Sequence, residues 1–207
     1  MTPFEDLLDY RRRVAAIYGR VRESALPPPE TWMRFRHERD ELFRTHAQSA
    51  LSDAQKARFT GLTYYDYDPA LRFAVQVDPD VKPDVLQLDL SDDGPVRMKR
   101  CGKIHLNIDQ QPVSLSLFWI MGYGGGLFLH FRDLTNRSDT YGGGRYLLDT
   151  IKHADLGHRD STLIIDFNYA YNPSCAYNAR WHCPLFDREN LLPVPVQAGE
   201  KRFADFQ

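Results

Sequence analysis

Along the first sixty residues, apolar side chains recur at every third or fourth position. Phe4, Leu7, Leu8, Val14, Ala15, Tyr18 and Val21 share one face of a helix, and Thr2, Pro3 and Glu5 supply a capping box with proline at the first helical position. Pro27, Pro28 and Pro29 must break that helix, because proline has no amide to donate and clashes with the preceding turn. A second helix carries Trp32, Phe35, Leu42 and Phe43 on one side, with Arg34, Arg36, Arg39 and Arg44 spread around it. A short third helix starts at Ser52, with Gln55 in the capping-box position, and stops by Gly61.

From Leu62 the period changes to two. Leu71, Phe73, Val75 and Val77 alternate with polar or small residues, and the same alternation recurs at Leu86–Leu90, Ile104–Ile108 and Val113–Trp119. The separators are turn-like: Ser91 to Pro95, Asp109 to Pro112, and Gly122 to Gly126. Leu127 to Arg132 is apolar on both faces except for His130 and Arg132, which places it near the centre of a sheet, and Leu163 to Phe167 reads as one more strand. Beyond Asn168 the chain is rich in proline, asparagine and aromatics and shows no period. The expected fold is α+β, with N-terminal helices packed on a mainly antiparallel β-barrel or sandwich. One domain spans residues 1–207, made of a helical segment (1–60), antiparallel strands (61–167) and an irregular segment (168–207) that packs back on the barrel.

Composition narrows the function classes. With 207 residues, 43% of them hydrophobic, the chain is long enough to bury a core without staples. A net charge of -2 removes the electrostatic argument for nucleic-acid binding, which needs an excess of Lys and Arg to displace phosphate counterions. The longest apolar run is far short of the roughly 20 residues of a membrane span, and the N-terminus lacks the order of a secretory signal, so a cytoplasmic protein without a membrane partner is expected. Three cysteines, Cys101, Cys175 and Cys183, are too few for a disulfide scaffold. Arg11, Arg12 and Arg13 lie among Glu5, Asp6 and Asp9 and read as a solvated helix face.

The ordered blocks that could carry chemistry lie late in the chain. They are Phe131-Arg132-Asp133, Thr140 to Leu147 (TYGGGRYL), Asp166 to Tyr177 (DFNYAYNPSCAY), Cys183-Pro184, Glu189-Asn190, Leu192 to Val194, and Ala198 to Lys201. Together with Gly61 to Tyr65 upstream, these blocks resemble a bacterial and archaeal family known only as a domain of unknown function. That resemblance brings no activity with it. The chain departs from the pattern at Ser174, Leu185 and Phe186, positions often held by proline, which bears on loop shape more than on chemistry.

Read physically, Gly142, Gly143 and Gly144 permit close backbone approach just before Arg145, an always-charged planar donor. This is either an anion nest or a turn whose arginine pairs with an internal carboxylate such as Asp133 or Asp166. Strand alternation puts Asp166 and Asn168 on one face, where with Arg145 they form a polar cluster that either satisfies itself or awaits a ligand. Cys175 and Cys183 are read as a nucleophile with His182 nearby, as inert buried thiols, or as one disulfide pinning the loop. Their spacing is not a usual zinc pairing, no metal site is expected, and the cofactor is left open. The aromatics, Tyr64, Tyr141, Tyr146, Tyr171, Tyr177 and Trp181 among them, are numerous enough to line a pocket or to fill a core.

Three functions are compatible with these residues. One is a small-molecule-binding domain, its polar or anionic ligand held at one end of the barrel by Arg132, Asp133, Tyr141, Gly143, Gly144, Arg145, Asn168 and Tyr171. The alternative is an enzyme of hydrolase or transferase type, using Asp166 and Glu189 as acid and base and Cys175 as nucleophile. The third is a structural or partner-binding domain, whose helices meet another chain, for instance in a homodimer.

Overall fold

The computed structural model describes residues 2–90, 94–185 and 189–206; most of the turn expected at Ser91 to Pro95, and Phe186, lie outside the described residues. Thr2 and Glu5 form the expected reciprocal cap on α1 (Pro3–Arg22), and Pro28 opens α2 (Pro28–Thr45). Ser52 and Gln55 cap α3 (Asp53–Arg58) in the same way. The N-terminal end of α1 departs from the expected core face: Ile17 and Tyr18 are buried, whereas Phe4 is 85% exposed and Leu7 and Leu8 remain at the surface.

Among the described residues, eight strands follow: β1 (Arg72–Val75), β2 (Val85–Asp89), β3 (Pro95–Ile108), β4 (Gln111–Ile120), β5 (Gly126–Phe131), β6 (Arg145–Asp149), β7 (His158–Arg159) and β8 (Thr162–Asp166). They form a five-stranded sheet in the order β2-β3-β4-β5-β6 and a three-stranded sheet in the order β1-β8-β7, antiparallel throughout. The sheets do not close into a barrel, so the sandwich-like alternative describes the fold. Leu71 and Val75, with Leu163 and Ile165 of β8, face Ile104, Leu115, Leu129 and Leu148 of the larger sheet in one core. Beyond the end of β1, Asp78 and Lys103 exchange backbone hydrogen bonds of 2.8 and 2.9 Å, fastening the chain leaving the smaller sheet to β3 of the larger one.

The C-terminal segment is part of that core. Leu192, Val194, Val196 and Ala198 are buried in it, and the residues between them point outward. This is a period of two after all. Pro193 and Pro195 lack the amides that a ladder needs, so the stretch stays extended without becoming a strand. Just before it, Asn190 splices the larger sheet where β4 and β5 diverge. Its Oδ1 accepts from Ser116 N at 2.7 Å, and its Nδ2 donates to the carbonyls of Ser116 and His130, both at 2.9 Å.

The helices build a second core against connecting segments. Phe35 meets the Tyr169 ring edge-on at 4.8 Å, Trp32 Nε1 donates to the Asn168 carbonyl at 2.9 Å, and Phe43 packs on Tyr177 at 5.0 Å. Its buried members come from the helical region, from Leu62 and Tyr64, and from Ala154, Tyr169 and Tyr177. The helices therefore sit on the segment that follows β8, rather than directly on a sheet face.

Candidate functional site

Arg145 opens β6, and the glycine before it explains how it gets inside. Gly144 has φ +93°, and a Cβ there would lie 2.5 Å from the Phe131 carbonyl oxygen, so the turn is open only to glycine. Gly143 is equally confined, since its Cβ would meet the Tyr141 ring at 2.6 Å. The turn delivers Arg145 into the interior, where Nη2 donates to Asp133 Oδ2 at 2.7 Å and to the Val196 carbonyl at 2.9 Å, and Nη1 donates to the Ala198 carbonyl. Neither side chain of this pair is exposed at all. Asp133 Oδ1 is taken by Thr135 N at 2.6 Å. Burial pulls the Arg145 guanidinium below its ordinary value, and Asp133 opposes that pull. Of the two readings of the glycine run, the geometry is that of the turn with an internally paired arginine.

Asp166 and Asn168 also bind each other, but not through strand alternation. β8 ends at Asp166, whose carboxylate caps the following turn by accepting from Asn168 N at 2.9 Å and from Asn168 Nδ2 at 2.8 Å. Asn168 in turn grips the backbone of Asp68, accepting from its N–H at 2.8 Å and donating to its carbonyl at 2.7 Å. Burial pushes the Asp166 carboxyl up to about 6, and Arg72 stands 3.6 Å away. Asp166 lines a polar cleft of about 420 Å³ with Arg22, Arg72, His158 and Arg159. Glu189 is engaged elsewhere, accepting from Arg100 Nη2 at 2.8 Å. Cys175 lies beside Cys183, with its Sγ 3.6 Å from the Tyr141 hydroxyl. The expected catalytic set of Asp166, Cys175 and Glu189 is thus spread over three settings. Arg132 is held at the backbone, donating to the Asn190 carbonyl at 2.9 Å.

A second cleft, of about 250 Å³, opens where α1, α2 and the C-terminal segment meet. Tyr10, Tyr18, Tyr146, Tyr171, Tyr177 and Trp181 supply aromatic walls, while Arg11, Lys152 and His182 bring cations or a titratable ring to its lining. Of the residues expected to hold a ligand, Tyr171 is the one that lines it.

The floor of this cleft is a buried ion pair. Arg39 donates from Nη2 to Glu200 Oε2 at 2.8 Å and to the Tyr177 hydroxyl at 3.2 Å, and from Nε to the Tyr64 hydroxyl at 3.0 Å. Glu200, 1% exposed, also accepts from the Tyr177 hydroxyl and from both nitrogens of Asn172, each at 3.1 Å. Two polar atoms remain over: the Tyr171 hydroxyl and Asn172 Oδ1 are buried, and neither has a hydrogen-bond partner among the described residues. Burial pushes the Tyr171 phenol well up, so its hydroxyl keeps its proton.

Neither Arg39 nor Glu200 belongs to a motif that marks it as functional in the sequence. Glu200 continues the alternation of Leu192, Val194, Val196 and Ala198, and a carboxylate in phase with four buried apolar residues is a signal of a paired buried charge. Arg11, Arg12 and Arg13 are exposed on α1, as a solvated helix face requires, and Arg11 also borders the cleft. Among the described residues, no three of His, Cys, Asp and Glu stand close enough to hold a metal ion, and no helix is long and apolar enough to cross a membrane.

Fold and site together define an α+β protein of two antiparallel sheets, with an aromatic cleft between its helices and its C-terminal segment. The chain belongs to the DUF1684 family of proteins of unknown function, whose model matches residues 57–201. The match takes in Tyr146, Tyr171, Asn172, Cys183 and Glu200, and begins after the two long helices that supply Tyr10, Tyr18 and Arg39. The chain is also similar to an uncharacterised protein from Haloarcula marismortui, known from a solution NMR structure. The two are 34% identical, with a TM-score of 0.57, over 83% of this chain and 93% of that one. No curated protein matches the chain.

Proposed function

We propose that the protein binds a small molecule in the aromatic cleft, with Tyr171 and Asn172 as its polar anchors. The observation that carries this reading is the pair of buried, unpartnered polar atoms on two neighbouring residues that line the cleft. Buried donors and acceptors are nearly always paired, and leaving one unmet costs about 1–3 kcal/mol. A ligand that accepts from the Tyr171 hydroxyl and donates to Asn172 Oδ1 removes that cost. The tyrosine and tryptophan faces suit a flat apolar body, and Arg11 and Lys152 suit a polar or anionic end.

This ligand class matches the expectation from sequence, but the site lies away from the glycine turn. The Arg145–Asp133 pair has no exposed surface to offer, whereas the Arg39–Glu200 pair positions Asn172 at an open cleft. The reading is tested by native mass spectrometry of the protein as purified, against the same sample denatured. A reproducible excess mass, lost on denaturation and absent from a Val14→Trp variant that fills the cleft from α1, is expected. Excess mass that persists in Val14→Trp would place the ligand elsewhere. A bare mass, followed by no melting shift across a panel of aromatic acids and nucleotides, would overturn the proposal.

A further inference from the structure

The two C-terminal thiols form a unit that ligand binding does not use. Cys175 N donates to Cys183 Sγ at 3.3 Å, which sets the two cysteines side by side. Cys175 lies in the turn Ser174–Ala176, and Cys183 follows eight residues later on the cleft wall. Both are half-buried and reduced. Cys183 Sγ receives the Cys175 amide, whereas Cys175 Sγ lies 3.6 Å from the Tyr141 hydroxyl; Cys183 is held down and Cys175 held up, each chiefly by the other. Lys152 adds a smaller favourable field at Cys183. The third cysteine, Cys101, points its Sγ at the Leu117 carbonyl at 3.4 Å, and burial raises it. It serves as an internal control.

We propose that Cys183 and Cys175 are a peroxide-reactive dithiol, with Cys183 as the attacking sulfur and Cys175 as the resolving one. The Cys183 thiolate attacks one oxygen of a hydroperoxide, the O–O bond breaks, and the departing oxygen leaves as water or an alcohol once it has taken a proton. Cys183 is then a sulfenic acid. Cys175, already within hydrogen-bond reach, attacks the Cys183 sulfur and the S–O bond breaks. The hydroxyl leaves as water with the Cys175 proton. Two thiols are oxidised to one disulfide, and one hydroperoxide is reduced by two electrons. The product would tie the Ser174 turn to the chain at Cys183, both of which line the aromatic cleft. The sequence points to Cys175 as nucleophile; the backbone amide that donates to Cys183 Sγ points to Cys183 instead.

The test is to treat the full-length folded protein with hydrogen peroxide, then alkylate and map its peptides. The expected result is a disulfide between Cys175 and Cys183, a fall from three alkylatable thiols to one, and recovery of all three with a dithiol reductant. Three thiols remaining after peroxide, or a disulfide that involves Cys101 or a second chain, would overturn the proposal. Rates of alkylation near neutral pH check the asymmetry, with Cys183 expected to react about tenfold faster than Cys101. In Cys175→Ser, a sulfenic acid trapped at Cys183 by a carbon nucleophile is expected. No trapped adduct there, or fast peroxide oxidation of Cys175 in Cys183→Ser, would refute the assigned order.

Discussion

Two arginines of this protein are buried beside a carboxylate, and they do different things. Arg145 meets Asp133, the carbonyls of Val196, Ala198 and Glu200 in the C-terminal segment and the face of Phe131 at 4.9 Å, and its pair is sealed. Arg39 meets Glu200, two tyrosine hydroxyls and the faces of Phe43 and Tyr171, and its pair is 11% and 1% exposed at the floor of an open cleft. Burying either charge is costly, and only good partners offset that cost. The first cluster spends Nη1 and Nη2 on holding the C-terminal segment against β6, which is a job within the fold, and leaves Nε buried without a partner among the described residues. The second also leaves a phenol hydroxyl and an amide oxygen over, both at the cleft. Both clusters leave a buried polar atom over, and the contrast between them is one of access: the leftover atoms of the second belong to residues that line a cleft, and that of the first does not.

The largest effect is expected at the sealed pair. Arg145→Met leaves Asp133 without its cation in a place water does not reach, and should cost about 3–5 kcal/mol, or roughly 6–20 °C in Tm. Thermal melting measures it, and a loss below 1 kcal/mol would mean that the pair is not the anchor described here. Glu200→Gln should cost less, about 2–3 kcal/mol, because Arg39 keeps its tyrosine partners and the cleft lets in water. Equal losses in urea unfolding would erase the distinction between the two clusters.

How much of this could be read in advance follows from how local each signal is. Thr2 with Glu5, and Ser52 with Gln55, announce helix starts within four residues, β1 to β4 announce themselves by alternation, and β5 by an apolar run bounded by the Gly122–Gly126 turn. β6 does not, because all five residues of Arg145–Asp149 are buried and a strand covered on both faces has no period of two. The C-terminal alternation from Leu192 to Glu200 was present but masked by prolines. The cleft is assembled from Tyr18, Arg39, Tyr146, Tyr171 and Trp181, residues far apart in sequence and joined only by the packing of helices on the segment after β8. No local pattern encodes that meeting. The Arg145–Asp133 alternative was legible because its members lie twelve positions apart across one glycine turn.

Asp166 is an intermediate case, a carboxylate that is well hydrogen-bonded yet buried enough to be raised from 3.8 to about 6. An acid whose folded value lies above its unfolded value binds its proton more tightly when folded. Folding therefore takes up protons between about pH 4 and 7, and stability falls as pH rises through that window. The contribution is about 3 kcal/mol, lost as pH rises from about 4 to about 7. Asp166→Asn should remove this slope, so that the difference between variant and wild type grows with pH from about 4 to about 7 and is flat above. A difference that shrinks over the same range would mean that the Arg72 contact outweighs burial.

The smallest effect on stability is the most informative about function. Tyr171→Phe deletes a hydroxyl that has no partner among the described residues, while the ring keeps its edge-on contact with Tyr146 at 5.7 Å and its place under Arg39. A buried hydroxyl that makes no bond contributes only its desolvation cost, so the variant should unfold within about 0.5 kcal/mol of wild type, on the stable side if it differs. If the hydroxyl is an anchor for a ligand, the same variant should bind that ligand about tenfold more weakly, the effect of one hydrogen bond of about 1.4 kcal/mol. Stability and affinity then move independently at Tyr171, whereas at Arg145 any loss of binding should track the loss of fold. A Tyr171→Phe variant that is markedly less stable would show that the hydroxyl is already satisfied inside the protein, and the two arginine clusters would become alike.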